Sequence, residues 1–418
     1  MTALIVASQC GHIPVVERLL EHKARVNAQD YDGDTALICA SIQGHLHVVR
    51  LLLQANAKVD MKNKYGATAL TCASYHGHFD IVKELLANHA YVDTQDDGWS
   101  ALQSIRKKDI PLEKLECYLK EKGSTLSDYG DTALMAASFN GHIHVVKELL
   151  TNNAQIDFCN KRGTTALMAA CDEGHVDVVE ELLDRGARID IQDDDGDSAL
   201  LLACKNGHIG VVEILLNHSI RTFAELQSHV GSIEWRIDLI DSQDLQGRNA
   251  LSWACQYGFI EVVKILLQHR AKVDVQDSKG KTALMLASGH CDIVKALLDN
   301  YANINLMDKS GSTALMWACE GGYAQSVKLL LENNADVDIQ NENGETALMV
   351  ARRKGHIACW KVLMKDVNEL VVLVRFLTNY CTVTRPYYKD TDFTFPSLFF
   401  STKLVVAKAN IMKAINVL

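Results

Sequence analysis

The chain has 418 residues, of which 48% are hydrophobic and 22% charged, a composition that predicts a folded protein and excludes wholesale disorder. Its net charge of −10 gives no general attraction to nucleic acid or anionic lipid. Apolar runs such as Leu370–Val374 are too short to span a bilayer, and no secretory signal pattern follows Met1. These features predict a soluble protein of the cytoplasm, with the nucleus as the alternative.

The most informative feature is a Thr-Ala-Leu triplet that recurs along the chain with few variations. Its copies begin at Thr2, Thr35, Thr68, Ser100, Thr132, Thr165, Ser198, Asn249, Thr282, Thr313 and Thr346. Successive copies are 31 to 33 residues apart, except for an interval of 51 residues between Ser198 and Asn249. In most copies an alanine-rich segment follows, then Gly-His, then Val-Val-x-x-Leu-Leu. The second segment places its apolar residues on one helical stripe, so each unit predicts two short helices joined by a glycine turn.

A pair of short helices cannot bury its apolar stripe alone, whereas stacked copies of the pair can. With this spacing and motif recurring together eleven times, the pattern resembles the ankyrin repeat over residues 1–365. Ala replaces the Pro of that family's Thr-Pro-Leu-His, and other residues replace its His. The resemblance implies an all-α fold, an ankyrin-repeat solenoid of stacked helix-turn-helix-hairpin units.

Three irregularities divide the array. The unit at Ser100 lacks Gly-His and carries Ile110-Pro111-Leu112, which can still open an outer helix. The unit at Thr282 has lost two residues, so its inner helix is expected to be short. The 51-residue interval holds an insertion near residues 221–238, expected to project as a loop or small helical excursion.

Both ends of the array are unusual. The first triplet follows Met1 directly, so the hairpin that should precede it is missing. Residues 366–418 form a non-repeat tail rich in Tyr and Phe, in which 367–377 is predicted to be a helix that caps the last unit. These ends suggest a fragment or an imperfectly bounded gene product.

The residues that could carry chemistry have a structural interpretation. The Gly-His histidines lie on successive units and cannot converge on a metal ion, and Phe259 and Tyr323 occupy the same slot. Cysteines such as Cys171 share an inner-helix position with serines, which suits packing, and no Cys-x-x-Cys pair occurs. Gly280-Lys281-Thr282 lacks the earlier glycine of a phosphate-binding loop, and Asp193–Gly196 is in the wrong register for calcium. The sequence therefore predicts no enzyme, no cofactor and no metal site.

Surface recognition remains as the function. In the ankyrin frame the hairpin tips and the residues just before Gly-His line the concave side. The candidate partner-binding residues are Tyr31, Tyr65, Trp99 and Tyr129 on hairpins, with Tyr75, His76, Phe139 and Asn140 on inner helices. Exposed Tyr and Trp are enriched in binding hot spots. The alternative, that these aromatic side chains bridge adjacent hairpins, remains open.

One modification is implied by the resemblance alone. Ankyrin repeats can be substrates of an oxygen-dependent asparaginyl hydroxylase, at an Asn that follows a hydrophobic residue near the hairpin. Asn27 and Asn305 match that slot, with Leu19 and Leu297 eight residues upstream. A turn-forming role for the two Asn residues is the favoured alternative.

The sequence thus predicts a non-catalytic scaffold or adaptor that binds protein partners of unknown identity. The alternatives are the substrate-recruiting or regulatory arm of a larger enzyme, such as a ubiquitin ligase or kinase, and the cytosolic arm of a membrane channel or anchor. The fold hosts all three, so the repeat pattern does not choose between them. It predicts neither nucleic-acid binding nor an oligomeric state.

Overall fold

The structure is a computed structural model that describes residues 1–100, 130–227 and 239–366, excluding the side chains of 221–227 and 365–366. The chain divides into two compact units, Met1–Ser278 and Lys279–Leu418. Throughout the described ranges the regular structure is helical, with two isolated β-bridges at hairpins. Helices come in pairs, and each pair coincides with one predicted repeat. The predicted all-α solenoid is confirmed.

The first compact unit contains fourteen of the described helices, an inner and an outer one in each repeat. They are α1 Ala3–Gln9, α2 Ile13–Glu21, α3 Ala36–Gln43, α4 Leu46–Gln54, α5 Ala69–Tyr75, α6 Phe79–Ala87, α7 Ala133–Phe139, α8 Ile143–Thr151, α9 Ala166–Glu173, α10 Val176–Asp184, α11 Ala199–Asn206, α12 Ile209–Gln227, α13 Ala250–Tyr257 and α14 Ile260–Gln268.

The second compact unit contains the remaining three repeats. Its described helices are α15 Ala283–Leu286, α16 Cys291–Asp299, α17 Ala314–Gly321, α18 Ala324–Glu332, α19 Ala347–Arg353 and α20 Ile357–Asp366. As predicted, the inner helix α15 is short, because a 3₁₀ turn at Ala287–Gly289 replaces its second half. The predicted capping helix at 367–377 and the rest of the tail lie outside the described residues.

The first residue of the triplet starts each inner helix. In α3 the Thr35 hydroxyl oxygen accepts a hydrogen bond from the Ile38 N–H at 3.2 Å, which satisfies one of the free donors of the first turn. Gly44 ends the helix in the left-handed conformation, with φ of 79°, and releases the chain into the outer helix α4. The Thr35 hydroxyl therefore caps the start of the helix, where Ala36 occupies the position of Pro in the family pattern.

The core lies between the inner and outer helices. Leu37 of α3 and Val48, Val49 and Leu52 of α4 are at most 2% exposed. The inner-helix position shared by Ser and Cys is also buried, and burial raises the pKa of Cys171 far above its ordinary value. The equivalent Ser138 hydroxyl makes no hydrogen bond there. Both residues pack as small core side chains.

The stacking order differs from the prediction at the fourth repeat. The sequence predicts that a unit beginning at Ser100 stands between the units of Thr68 and Thr132. In the structure these two units are in direct contact, since the His142 Nε2–H donates to the Tyr75 carbonyl at 3.0 Å and the Lys161 ammonium lies 2.8 Å from Asp97. Residues 101–129 are outside the described ranges.

The 51-residue interval leaves the stack undisturbed. Its outer helix α12 has 19 residues instead of the usual nine, so the first part of the predicted insertion continues a helix. The Leu245 N–H still donates to the Asp195 carbonyl at 3.0 Å, which is the normal register between adjacent hairpins. Residues 228–238 lie outside the described residues.

The direct contact predicts that residues 99–129 can be removed without unfolding the array. Deleting these 31 residues leaves 33 between Thr68 and Thr132 and joins Gly98 to Gly130 in a hairpin of normal length. We expect the shortened chain to keep a cooperative thermal transition and native helical content by circular dichroism, because the His142–Tyr75 hydrogen bond and the Lys161–Asp97 ion pair are retained. The deletion also removes the buried Trp99 ring, so a lower melting temperature is expected. A control deletion of residues 136–166 has the same length but cuts through α7 to α9, and is expected to destabilise strongly. Equal loss of structure in both deletions would contradict the direct contact.

A second prediction concerns left-handed backbone after the outer helices. Tyr301 and Asn334 occupy equivalent positions with φ of 62° and 61°, and the Tyr301 side chain is 94% exposed. Asn tolerates this conformation, whereas other side chains with a Cβ are strained there by about 1 kcal/mol. We expect Tyr301→Asn to raise the free energy of unfolding by about that amount in urea titrations, and the matched Asn334→Tyr to lower it. A loss of stability in Tyr301→Asn would show that the exposed ring makes a stabilising contact.

Candidate protein-binding surface

The Gly-His pairs join neighbouring repeats. The His45 Nε2–H donates to the Gln9 carbonyl of the preceding repeat at 3.0 Å, and the ring lies against Gly11, where a Cβ would be 2.7 Å from the imidazole. His142 makes the same bond to Tyr75, across the direct contact described above. These rings donate to the previous repeat and make no side-chain hydrogen bond that caps their own outer helix. These histidine side chains therefore have a structural role, because they join each repeat to the one before it.

The hairpin tips are fixed by an Asp or Asn, which is half-buried at Asp30 and buried at Asp244. In the second repeat Asp30 Oδ1 accepts from the N–H groups of Asp32 and Asp34, both at 3.0 Å. Adjacent tips are linked through the backbone, as where the Lys64 N–H donates to the Asp32 carbonyl at 3.0 Å. The residue after this Asp is left on the outside, and at Tyr31 it is 84% exposed. The tips are therefore rigid supports for exposed side chains.

The predicted binding residues fall into different environments. Tyr31 and His76 are exposed, with the Lys64 ammonium 4.0 Å from the Tyr31 ring centre. Tyr65, Phe139 and Asn140 are half-buried. Tyr129 lies outside the described residues.

The expectation that Tyr75 and Trp99 present free rings is wrong, because they are only 5% and 3% exposed. Their rings meet edge to face at 5.5 Å, and His76 packs on both. Trp99 is held beside Asp96, which accepts from the Ser100 hydroxyl at 2.6 Å. These two rings therefore pack against each other and offer little surface to a partner, while the alternative that aromatic side chains bridge adjacent hairpins stays a prediction.

A second aromatic cluster, missed by the sequence analysis, lies in the repeat that begins at Asn249. Trp253 on α13 is 8% exposed, and its indole N–H donates to Asp244 Oδ2 at 2.8 Å. The Lys205 ammonium and the Arg248 guanidinium lie 4.4 and 4.6 Å from the ring centre. The sequence could have indicated this cluster, because Trp317 occupies the same repeat position as Trp253 and each Trp follows an Asp by nine residues.

Tyr257 lies at the C-terminal end of α13 and stacks on Trp253, with ring centres 5.7 Å apart and planes 12° from parallel. It is 51% exposed, so one part of the ring is buried by Trp253 while the rest faces solvent. It occupies the slot just before Gly258, which the sequence analysis assigned to binding in other repeats. We name Trp253, Tyr257, Lys205, Arg248 and their carboxylate partners the Tyr257 cluster.

Charges in the Tyr257 cluster are paired. Lys205 lies 2.5 Å from Asp197, and Arg248 lies 3.5 Å from Asp277. Burial raises the pKa of Asp197 to about 6, although its bond to Lys205 lowers it. The carboxylates of this cluster are therefore held in place and partly removed from water, next to an exposed aromatic ring.

The two Asn residues suggested for hydroxylation have a structural role in common. Asn27 Oδ1 accepts from the Lys58 N–H at 2.8 Å, and Asn305 Oδ1 accepts from the Asp336 N–H at 2.9 Å. Asp60 makes the same bond to Tyr91. Each links one hairpin arm to the next, which is a structural role between repeats, while the turn-forming role and hydroxylation stay predictions.

Within the described ranges no group of His, Cys, Asp and Glu has the arrangement needed to hold a metal ion. Nor is any helix there both long enough and apolar enough to cross a membrane. What the described surface offers is a set of exposed aromatic and charged side chains on a rigid helical frame.

This arrangement defines a helical repeat protein whose hairpin tips and inner helices carry exposed aromatic and charged side chains. Models described as "Ankyrin repeats (3 copies)" match residues 1–63, 105–193, 225–308 and 302–371, and a model of the single ankyrin repeat matches 65–97 and 195–223. The chain belongs to the ankyrin repeat family. Ankyrin repeats are in general non-catalytic modules of protein–protein interaction.

Among solved structures, the human ASB11 ankyrin repeat domain is similar to this chain. The two are 22% identical, with a TM-score of 0.48, and the match covers 65% of this chain and 99% of that domain. No curated protein sequence matches the chain.

One prediction concerns the buried carboxyl at the direct contact. Asp131 accepts from Asn160 at 2.9 Å, and burial together with the Asp96 charge raises its pKa from 3.8 to about 7. The folded chain then binds more protons than the unfolded chain between these values, so stability falls as pH rises from about 4 to about 7. Asp131→Asn is expected to reduce this slope by up to about 1.4 kcal/mol per pH unit, measured by urea unfolding across that range.

The matched control is Asp190→Asn. The hydrogen bond from Arg188 lowers the pKa of Asp190, so its contribution to stability is lost only below its ordinary value of 3.8. This control should leave the slope above about pH 4 unchanged. An unaltered slope in Asp131→Asn would show that Asp131 ionises normally in the folded chain.

Proposed function

We propose that the chain is a non-catalytic scaffold or adaptor that binds partner proteins through hairpin tips and inner helices of its first compact unit. One observation carries the proposal. Tyr31, Leu245 and Tyr257 are 84%, 74% and 51% exposed, on tips and helices whose backbone is already hydrogen-bonded. Large rigid side chains on a preformed support bind with little loss of conformational entropy.

The charge pattern of the tips supports selective recognition. Lys161 forms an ion pair with Asp97 of the adjacent tip, and Arg162 forms one with Asp195. These charges are therefore paired within the array. Exposed ion pairs of this kind contribute little to stability. The backbone fixes the tip that follows Asp195, where the Leu245 N–H donates to the Asp195 carbonyl at 3.0 Å, so the exposed Leu245 side chain projects at a defined position.

Site-specific photo-crosslinking in the full chain tests the proposal. A benzoylphenylalanine at position 31 or 257 should crosslink to the same partner protein, because both positions lie on the proposed surface. Position 91 is the matched control, since Tyr91 is 73% exposed but lies at the start of a hairpin arm. The double variant Tyr31→Ser/Tyr257→Ser should then weaken capture of the identified partner by about tenfold or more.

Crosslinks from position 91 to the same partner, or full capture by the double variant, would contradict this surface. Circular dichroism of the double variant should match that of the native chain, since both side chains lie largely outside the core.

A further inference from the structure

The last repeat has an uncovered glycine at the place where repeats join. In the preceding repeat Gly322 is covered by the ring of His356, which would lie 2.7 Å from an added Cβ. Gly355 is the equivalent glycine of the last repeat, and no described atom lies within 4 Å of a Cβ added there. Its φ of 77° matches the 79° of Gly322. The backbone of the last repeat is therefore shaped to receive a ring.

The inner helix of the last repeat, α19, is less buried than its counterparts. Leu315 and Met316 of the preceding repeat are at most 2% exposed, whereas Leu348 and Met349 at the same repeat positions are half-buried. The Thr346 hydroxyl makes no helix-capping hydrogen bond, unlike its counterpart in the preceding repeat. Since these positions are elsewhere covered by the next inner helix, Leu348 and Met349 mark an apolar face that one more packing element can cover.

The last hairpin is open on the same side. The Glu342 N–H donates to the Ser310 carbonyl at 2.9 Å, which is the usual bond between adjacent tips. The corresponding carbonyl of the last tip belongs to Asn343, and no N–H of the described ranges donates to it. Gly344 has no described atom within 4 Å of an added Cβ, whereas Gly311 of the preceding tip has backbone at 3.1 Å. Glycine, inner helix and tip are thus open together, and we call them the open face.

The chain itself contains a suitable occupant for the open face. Helix α20 ends at Asp366, and residues 367–418 follow it directly. Residues 380–400 hold seven Tyr and Phe residues in 21 positions, against 22 in the whole chain. The 14 residues 367–380 span up to about 46 Å when extended, far more than the roughly 10 Å between packed helices. This aromatic segment can therefore reach the open face.

The kind of ring that the array accepts agrees with this occupant. Gly207 is covered by the Phe259 ring at 2.8 Å, so the glycine takes a phenyl ring as well as an imidazole. Residues 367–418 contain no histidine, and their rings are all Tyr or Phe. The segment 367–377, predicted above to form a capping helix, holds a single ring, that of Phe376. Residues 380–400 therefore offer the open face more rings than 367–377 does.

We propose that residues 380–400 cover the open face and lay a tyrosine or phenylalanine ring on Gly355. Apolar side chains of the same segment cover Leu348 and Met349. Burial of several rings against an apolar face is favourable, by about 25 cal/mol for each Å² of apolar surface removed from water. Because the segment is tethered, its effective concentration is about millimolar, so a separate protein must compete with it. The array is then closed at this end by its own chain.

Photo-crosslinking in the full chain tests which segment covers the open face. A benzoylphenylalanine at position 349 should crosslink, within the monomer, to peptides from residues 380–400 identified by mass spectrometry. Position 357 is the matched control, because Ile357 is 66% exposed in the same repeat but lies at the start of the outer helix. It should not crosslink to this segment. Crosslinks from position 349 to residues 367–377, to a second copy of the chain, or to neither segment would overturn the proposal.

A glycine substitution tests the ring itself. Gly355→Ala is made in the native chain and in a chain whose seven rings at 380–400 are replaced by serine. An added Cβ strikes a covering ring only when the rings are present, so the substitution should quicken amide hydrogen exchange in α19 about tenfold more in the native chain.

Gly186→Ala is the matched control for this substitution. Gly186 also has left-handed backbone, with φ of 88°, and no described atom within 4 Å of an added Cβ, but it follows an outer helix. It should quicken exchange in its own repeat equally in both chains. An equal effect of Gly355→Ala in the two chains would overturn the ring on Gly355. The proposed function would be unaffected, since Tyr31 and Tyr257 lie in the first compact unit.

Discussion

The structure depends on a ring laid on a glycine. In most repeats the residue after the glycine is His, and its ring covers the glycine of the preceding repeat so closely that a Cβ would come within 3 Å, as at Gly11 and Gly141. The Phe259 ring covers Gly207 in the same way, although a phenyl ring has no hydrogen-bond donor. The shape of the ring is therefore the common requirement, and the His bond adds to it. Each interface is local, so the stack is built from nearest-neighbour contacts.

This local rule explains how the array accepts extra residues. The additional chain in the 51-residue interval begins beyond the usual end of an outer helix, and the described chain on either side of 101–129 ends at a hairpin, at Ser100 and Gly130. Neither position takes part in the contact between ring and glycine. At the direct contact, His142 covers Gly77 as if the two repeats were consecutive in the chain. Sequence order and stacking order therefore differ at this point.

Most of the frame could be predicted from the sequence, because the 33-residue period places Thr35, Gly44 and the Val-Val-x-x-Leu-Leu stripe in one environment in each copy. The surface could not be predicted as well. Trp99 was assigned to a hairpin tip from its position in the period, whereas its ring is buried against Tyr75 and His76. Composition gives the chemical type of a side chain, whereas exposure depends on contacts with residues more than thirty positions away.

Frame and surface are carried by different residues within each repeat, and this separates stability from recognition. The Asp or Asn of each hairpin accepts two hydrogen bonds from N–H groups of the turn, which fixes the tip. The exposed residue that follows it can therefore be Tyr31, Lys161 or Leu245 without a change in the backbone. Trp253 and Trp317 serve the frame alike, since each indole N–H donates to an Asp, and only one of them supports a tyrosine. Since exposed side chains contribute little to folding, their replacement alters what is bound more than whether the chain folds. Selectivity can then be set by a few positions on a shared scaffold, which is the arrangement that the Tyr257 cluster illustrates.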